Sequence, residues 1–183
     1  MLRFFDFLFS FFGLVFLFPL LIIIYVSILL TRTPPIFKQK RLGKNQIPFF
    51  LYKFRTMNIN TLSKPTHMVS PNQVTKLGVI LRKTKLDELP QLYNVLLGNM
   101  SLVGPRPCLP DQKKLINFRR RYKIFSVRPG ITGLAQIKSI DMSLPELLAK
   151  TEKEMIKTFS VNNYFYYIFM TILGKGRGDR VKL

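Results

Sequence analysis

From Phe7 to Leu30 the chain carries 24 successive residues without a charge, and no other feature restricts its folding as much. A helix needs about 20 apolar residues to cross the hydrocarbon core of a bilayer, so the run is long enough to span one. A cleaved signal peptide fits poorly, because the run is too long and lacks a small-residue cleavage site. Pro19 stands near its middle, where it removes a helical hydrogen bond and bends the chain. Basic residues flank both ends, Arg3 before the run and Arg32, Lys38, Lys40 and Arg41 after it. Lys and Arg tend to remain on the cytoplasmic side. Two readings therefore stand: a kinked transmembrane helix, or a broken helix that enters the membrane and returns, with Pro19 at the break.

The rest of the chain is strongly basic. It has 29 Lys and Arg against 9 Asp and Glu, a formal charge of +20. Such an excess points to an anionic partner: nucleic acid, anionic membrane lipids or a nucleotide diphosphate. Hydrophobic residues make up 48% of the chain, and they are partly segregated at the N-terminus from the basic residues that follow. That split suits a membrane surface better than a soluble nucleic-acid binder, and no nucleic-acid motif is recognisable. Cys108 is the only cysteine and His67 the only histidine. An intrachain disulfide and a cysteine metal cluster are thereby excluded. A histidine triad would have to use His67, which no Ser or Cys nucleophile motif accompanies.

Thr31 to Pro35 breaks the chain with a Pro-Pro pair. Ile47 to Phe54 is apolar and aromatic and reads as a strand. Asn58 to Asn72 is polar with two prolines and reads as a mobile loop. Val74 to Leu81 reads as helical. Leu86 to Leu97 places Leu89, Leu92, Tyr93 and Leu96 on one helical face, with Gly98 as its C-terminal stop. Gly104 to Pro107 is a rigid turn, Leu109 to Phe125 a basic helix, Arg128 to Gly133 a turn-rich loop, and Pro145 to Thr158 a further helix. Phe159 to Leu173 is rich in Tyr and Phe and suits either the membrane interface or a core. The fold class is α+β: a small, mostly helical domain with one short β-hairpin near Ile47 to Phe54 and interfacial amphipathic helices.

Asp87 and Glu88 are adjacent acids in a chain short of acids. Thr84 precedes Asp87 by three residues, a capping-box spacing, and Pro90 is tolerated only in a first helical turn. The pair is therefore expected at a helix start, where free N–H groups and the dipole favour negative charge and phosphate. Both acids serve there as simple caps. Alternatively, one attacks phosphorus, as in aspartyl-phosphate enzymes, and its neighbour holds Mg2+, which takes one or two carboxylates plus substrate phosphates. Lys53, Arg55, Arg82, Arg106 and Arg128 sit beside Pro, Gly or a strand end. Arg binds phosphate with a planar fork of donors, and phosphoryl transfer depends mostly on positioning and charge stabilisation.

Three segments carry a resemblance: KFRTM (Lys53 to Met57), LDELPQLYNVLLGNMSLVGPRP (Leu86 to Pro107) and RPGITGLAQ (Arg128 to Gln136). With Gln39, Arg41, Gly43, the N-terminal Arg3, Phe5 and Asp6 and the proline-broken apolar run, the chain resembles the bacterial sugar transferases. These are also called small monotopic phosphoglycosyl transferases. The resemblance implies that Asp87 is the nucleophile and that Glu88 serves Mg2+. Lys53, Arg55, Arg82, Arg106 and Arg128 would bind phosphates. It implies transfer of a sugar-1-phosphate from a UDP-sugar to undecaprenyl phosphate, with loss of UMP. It also implies a re-entrant anchor over residues 1–33 and a catalytic part over 34–183, on the cytoplasmic face of the bacterial inner membrane. The chain departs from the family pattern at Phe18 before the proline, often Ser, and at Asn99, usually Asp. Beyond Gln136 the pattern fades; Glu152 keeps the acidic character of a family Asp. These departures leave a second reading, a catalytically weak or inactive membrane-bound partner in glycan assembly.

Overall fold

The computed structural model describes residues 2–59 and 73–176. His67 and most of the expected loop from Asn58 to Asn72 lie outside the described residues.

Helix α1 (Leu2–Phe16) and helix α2 (Phe18–Leu29) meet at a bend of 62°. Pro19 lies in the first turn of α2, where its missing N–H costs no helical bond. The break expected at Pro19 falls at Leu17, between the two helices and two residues before the proline. Among the described residues no single helix is long and apolar enough to cross a membrane, whereas the bent pair together has that length and composition. The two helices invert the usual pattern of a surface helix. Asp6 and Ser10 of α1 are buried, while Phe4, Phe7, Phe11, Phe12 and Phe16 are exposed. On α2 only Ile24 and Ile28 are buried, against Phe54 and Leu81 of the domain.

The expected hairpin is formed by β1 (Ile36–Leu42) and β2 (Pro48–Phe54), antiparallel, with Ile36 opposite Phe54 and Leu42 opposite Pro48. Its first strand was not legible as one, because Lys38, Gln39, Lys40 and Arg41 hide any apolar alternation. Strand alternation places Phe49, Leu51 and Lys53 on one face. Phe49 and Leu51 pack there with Val95 and Met100. The outer edge of β2 is met by a side chain: Asn94 accepts from the Tyr52 amide at 3.0 Å and donates to the Phe50 carbonyl at 2.7 Å. Buried strand groups are thus satisfied without a third strand.

Helix α3 (Lys76–Thr84) starts on Thr75, whose hydroxyl accepts from the Gly78 amide at 2.9 Å. The single helix expected from Leu86 to Leu97 is two pieces, a 3-10 turn at Leu86–Glu88 and helix α4 (Gln91–Leu96). Lys85, left-handed at φ 59°, separates α3 from the 3-10 turn. The capping box does not form: the Thr84 hydroxyl donates back to the Ile80 and Leu81 carbonyls, at 2.9 and 3.2 Å. That local bond competes with the cap. Gly98 ends α4 at φ +82°, the left-handed stop expected of it.

A second sheet was not foreseen. Strands β3 (Ser101–Val103) and β4 (Gly130–Thr132) pair in parallel, and a parallel pair requires a crossover. Helix α5 (Lys113–Arg121), shorter than the expected Leu109 to Phe125, provides it. Gly104 and Gly130 touch backbone to backbone, and a Cβ on Gly130 would lie 2.0 Å from the Gly104 nitrogen. Helices α6 (Leu134–Ile137), α7 (Pro145–Lys157) and α8 (Val161–Ile172) follow. Helix α8 has a buried side and an exposed side. Tyr164 and Tyr167 are core residues, while Phe165, Tyr166, Phe169 and Ile172 are exposed.

Candidate active site

The 3-10 turn holds Asp87 and Glu88 between the end of α3 and the inner face of the hairpin. Asp87 is 7% exposed. Lys53 shares the strand face of Phe49 and Leu51, so it extends toward this turn. Its Nζ lies 2.7 Å from Glu88 Oε1. Arg106, in the turn after β3, brings Nη2 to 3.1 Å from the same oxygen. Arg82, on the last turn of α3, donates through Nε to Thr56 Oγ1 at 2.9 Å and acts electrostatically on Asp87.

The two carboxyls are driven apart. Burial pushes Asp87 up from its ordinary 3.8 to about 6, helped by the like charge of Glu88 and opposed by Lys53, Arg82 and Arg106. Burial also opposes the charge of Glu88, but Lys53 and Arg106 outweigh it and hold this carboxyl well below the usual range. Adjacent acids with divergent environments are a recurring way to divide chemical roles between carboxylates. Glu88 is a fixed anion that orders two cations. Asp87 is more basic, still ionised at neutral pH, and makes no ion pair of its own among the described contacts.

Of the five basic residues singled out by sequence, the structure gathers Lys53, Arg82 and Arg106 around the acidic pair. Arg55 and Arg128 stand elsewhere. Arg55 donates to the Pro34 carbonyl at 2.8 Å and lies over the Phe37 ring. Arg128 donates to the Gly98 carbonyl at 2.8 Å. Neither is among the cations acting on Asp87 or Glu88. Asn99 follows the C-terminal end of α4 and bonds through its amide to the Asn94 carbonyl at 3.1 Å. It is not among the groups that act on the acidic pair.

Two polar groupings escaped the sequence reading. Asp6, buried in α1, accepts from Ser101 Oγ at 2.9 Å, the Leu102 amide at 2.9 Å and Tyr164 Oη at 2.8 Å, and pairs with Arg3 at 3.5 Å. Arg3 also donates to the Val95, Leu96 and Met100 carbonyls, which closes the C-terminal end of α4. Arg3 thus joins α1 to the helix that follows the acidic pair, a structural role beyond the membrane placement expected of it. The second grouping is the buried pair of Arg119 on α5 and Glu152 on α7. Its sequence signal is a charge on an apolar stripe: Arg119 lies four residues after Leu115, and Glu152 four after Leu148.

The family model for Bacterial sugar transferase matches residues 1–176. The chain is 40% identical over 141 residues to the "Uncharacterized sugar transferase EpsL" of Bacillus subtilis (strain 168), covering 77% of this chain and 67% of that protein. It is 38% identical over 153 residues to the UDP-glucose:undecaprenyl-phosphate glucose-1-phosphate transferase of Xanthomonas campestris pv. campestris, covering 77% of this chain and 30% of the relative. It is 35% identical over 165 residues to the UDP-N-acetylgalactosamine-undecaprenyl-phosphate N-acetylgalactosaminephosphotransferase of Aeromonas hydrophila, covering 84% and 38%. The chain therefore spans well under half the length of these last two relatives.

Proposed function

The chain belongs to the bacterial sugar transferase family, and from that premise we propose that it is a phosphoglycosyl transferase moving a sugar-1-phosphate from a UDP-sugar to undecaprenyl phosphate. The observation that carries the reading is the buried Asp87 carboxylate, raised to about 6 and framed by Lys53, Arg82 and Arg106 beside the ion-paired Glu88.

In the proposed first step an Asp87 oxygen attacks the β-phosphorus of the donor. A P–O bond forms to the carboxylate, the P–O bond to the α-phosphate breaks, and UMP departs with that electron pair. The sugar phosphate is then held on Asp87 as an acyl phosphate. In the second step a phosphate oxygen of the lipid attacks the same phosphorus and releases the Asp87 carboxylate, leaving a polyprenyl diphosphate sugar. A carboxylate with a pKa of about 6 is a better nucleophile than an ordinary one and remains ionised at pH 7. Lys53, Arg82 and Arg106 hold the diphosphate and stabilise charge as it moves to the leaving group, which is most of what a protein contributes to phosphoryl transfer.

The residues present fit Mg2+. Both cation contacts of Glu88 fall on Oε1, so Oε2 is left for a metal. No group of three or more metal-ligating side chains exists among the described residues, so the ion would have to be held by one or two carboxylates plus substrate phosphates. Bound there, Mg2+ supplies positive charge to the diphosphate.

The exposed aromatic faces of α1, α2 and α8 support a membrane-bound placement. We assign residues 1–33 to a re-entrant anchor bent at Pro19 and residues 34–183 to a catalytic part on the cytoplasmic face. Anionic lipids would attract the basic surface, at about 1 kcal/mol per well-placed Lys or Arg. The relatives' names differ in the sugar, glucose in one and N-acetylgalactosamine in another, so the donor is proposed only as a UDP-sugar.

The test is UMP release from a panel of UDP-sugars with undecaprenyl phosphate and Mg2+, comparing wild type with Asp87→Asn. Release from one donor, lost in the variant along with a covalent sugar-phosphate adduct, is the expected result. An active Asp87→Asn protein refutes the nucleophile, and no release from any donor favours the inactive-partner reading.

A further inference from the structure

Arg119 and Glu152 are among the most deeply buried side chains of the protein, 2% and 0% exposed. They lie on α5 and α7, away from the acidic pair in sequence, and the proposed mechanism does not use them. Arg119 Nε donates to Glu152 Oε2 at 2.8 Å, and Arg119 Nη2 donates to Glu152 Oε1. The pair does not close on itself. The same Arg119 Nη2 donates to the main-chain carbonyl of Arg106 at 2.8 Å. The carboxyl of Glu152 in turn accepts a bond from the Arg106 main chain. The peptide groups on both sides of the Arg106 Cα are therefore gripped by one buried ion pair.

Arg106 lies between Pro105 and Pro107, so neither neighbour carries an N–H for a competing ladder. Its backbone falls in no helix or strand, and the pair takes the place that regular structure would otherwise fill. Its side chain then reaches Glu88 at 3.1 Å. A buried ion pair is a poor source of stability, since desolvation offsets most of its attraction, and apolar replacements of similar size are often neutral or better. A pair of this kind is better explained by what it orients.

We infer that Arg119 and Glu152 are positioning residues: their buried pair clamps the Arg106 main chain and so aims the Arg106 guanidinium at Glu88 and the substrate diphosphate. This inference rests on the phosphoglycosyl transferase reading for its catalytic consequence, though not for the clamp itself. A misplacement of about 1 Å in such a contact can cost about a hundredfold in rate.

The test uses the full chain in detergent or nanodiscs. The double change Arg119→Met with Glu152→Leu removes both charges together and leaves no buried ion unpaired, so the fold should survive. The expected result is a melting temperature near that of wild type and kcat/KM for UMP release lowered about ten- to hundredfold. In the Arg106→Ala background the same double change should cost less than about twofold, because the group it aims is already gone. An equal loss in both backgrounds, or no loss in the wild-type background, overturns the inference, since a general structural defect acts whether or not the Arg106 side chain is present. Should the double variant not fold, Glu152→Gln, which keeps the side-chain shape, takes its place in the same cycle. A second readout needs no turnover. Amide hydrogen exchange at Arg106 should speed up about tenfold or more in the variant, and unchanged exchange refutes the clamp. If wild type releases UMP from no donor, the functional reading fails while exchange at Arg106 still decides the clamp.

Discussion

Replacing Asp87 by Asn removes a buried charge and nearly preserves the shape of the side chain, so the proposed nucleophile can be examined by stability as well as by activity. The carboxyl titrates at 3.8 when unfolded and at about 6 in the fold, because burial outweighs Lys53, Arg82 and Arg106. At roughly 1.36 kcal/mol per pH unit, that displacement corresponds to about 3 kcal/mol. The sign follows from proton binding. Between pH 3.8 and about 6 the folded state keeps a proton that the unfolded state has released, so stability falls as pH rises through that window. Above it the full penalty of holding a desolvated carboxylate is present. Asp87→Asn never carries the penalty. It should therefore melt close to wild type near pH 4 and be the more stable protein at pH 8, by about 3 kcal/mol. For a chain of this size that is roughly 6–12 °C. The assay is thermal unfolding in one detergent, with chelator and without substrate, across pH 4 to 8. A variant no more stable than wild type at pH 8 would show that the surrounding cations, not burial, govern Asp87. Asp87 would then not be an unusually basic nucleophile.

Other outcomes follow from the same contacts. Tyr164→Phe removes the hydroxyl that donates to Asp6 at 2.8 Å and should cost about 1.5–3 kcal/mol, the range for a hydrogen bond to a charged group, measured by denaturant or thermal unfolding. Gly130→Ala places a Cβ 2.0 Å from the Gly104 nitrogen and 2.6 Å from both the Gly104 Cα and the Val103 carbonyl carbon, all of it backbone. It should lose at least about 4 kcal/mol or fail to fold, seen as loss of a cooperative melt.

The Gly130 contact illustrates what a single chain of letters shows and what it hides. The Gly-Pro-Arg-Pro and Arg-Pro-Gly segments were legible as turns, because Gly and Pro carry their backbone preferences locally. That their glycines meet to let β3 run parallel to β4 was not legible. Parallel pairing joins segments separated by a whole crossover, and no local pattern announces it. The same limit explains the helix expected from Leu86 to Leu97. Its apolar period was real, and Gly98 stopped it as expected, but the Thr84 hydroxyl bonded backward and Lys85 turned left-handed, so the acids ride a 3-10 turn.

The sequence by itself determined the apolar helices and their break near Pro19, the hairpin near Ile47 to Phe54, the adjacent acids and the family. Each is a matter of local chemistry or of residues in unbroken order. Only the tertiary structure decided which cations meet the acids. Five basic residues were equivalent on paper, but strand alternation turned Lys53 inward, and Arg106 was held between α5 and α7, whereas Arg55 and Arg128 were spent on backbone carbonyls. Only the fold, too, could bury Asp87 and raise it to about 6. Desolvation depends on what packs around a group from every direction, and that surrounding is assembled from segments that sequence order keeps apart.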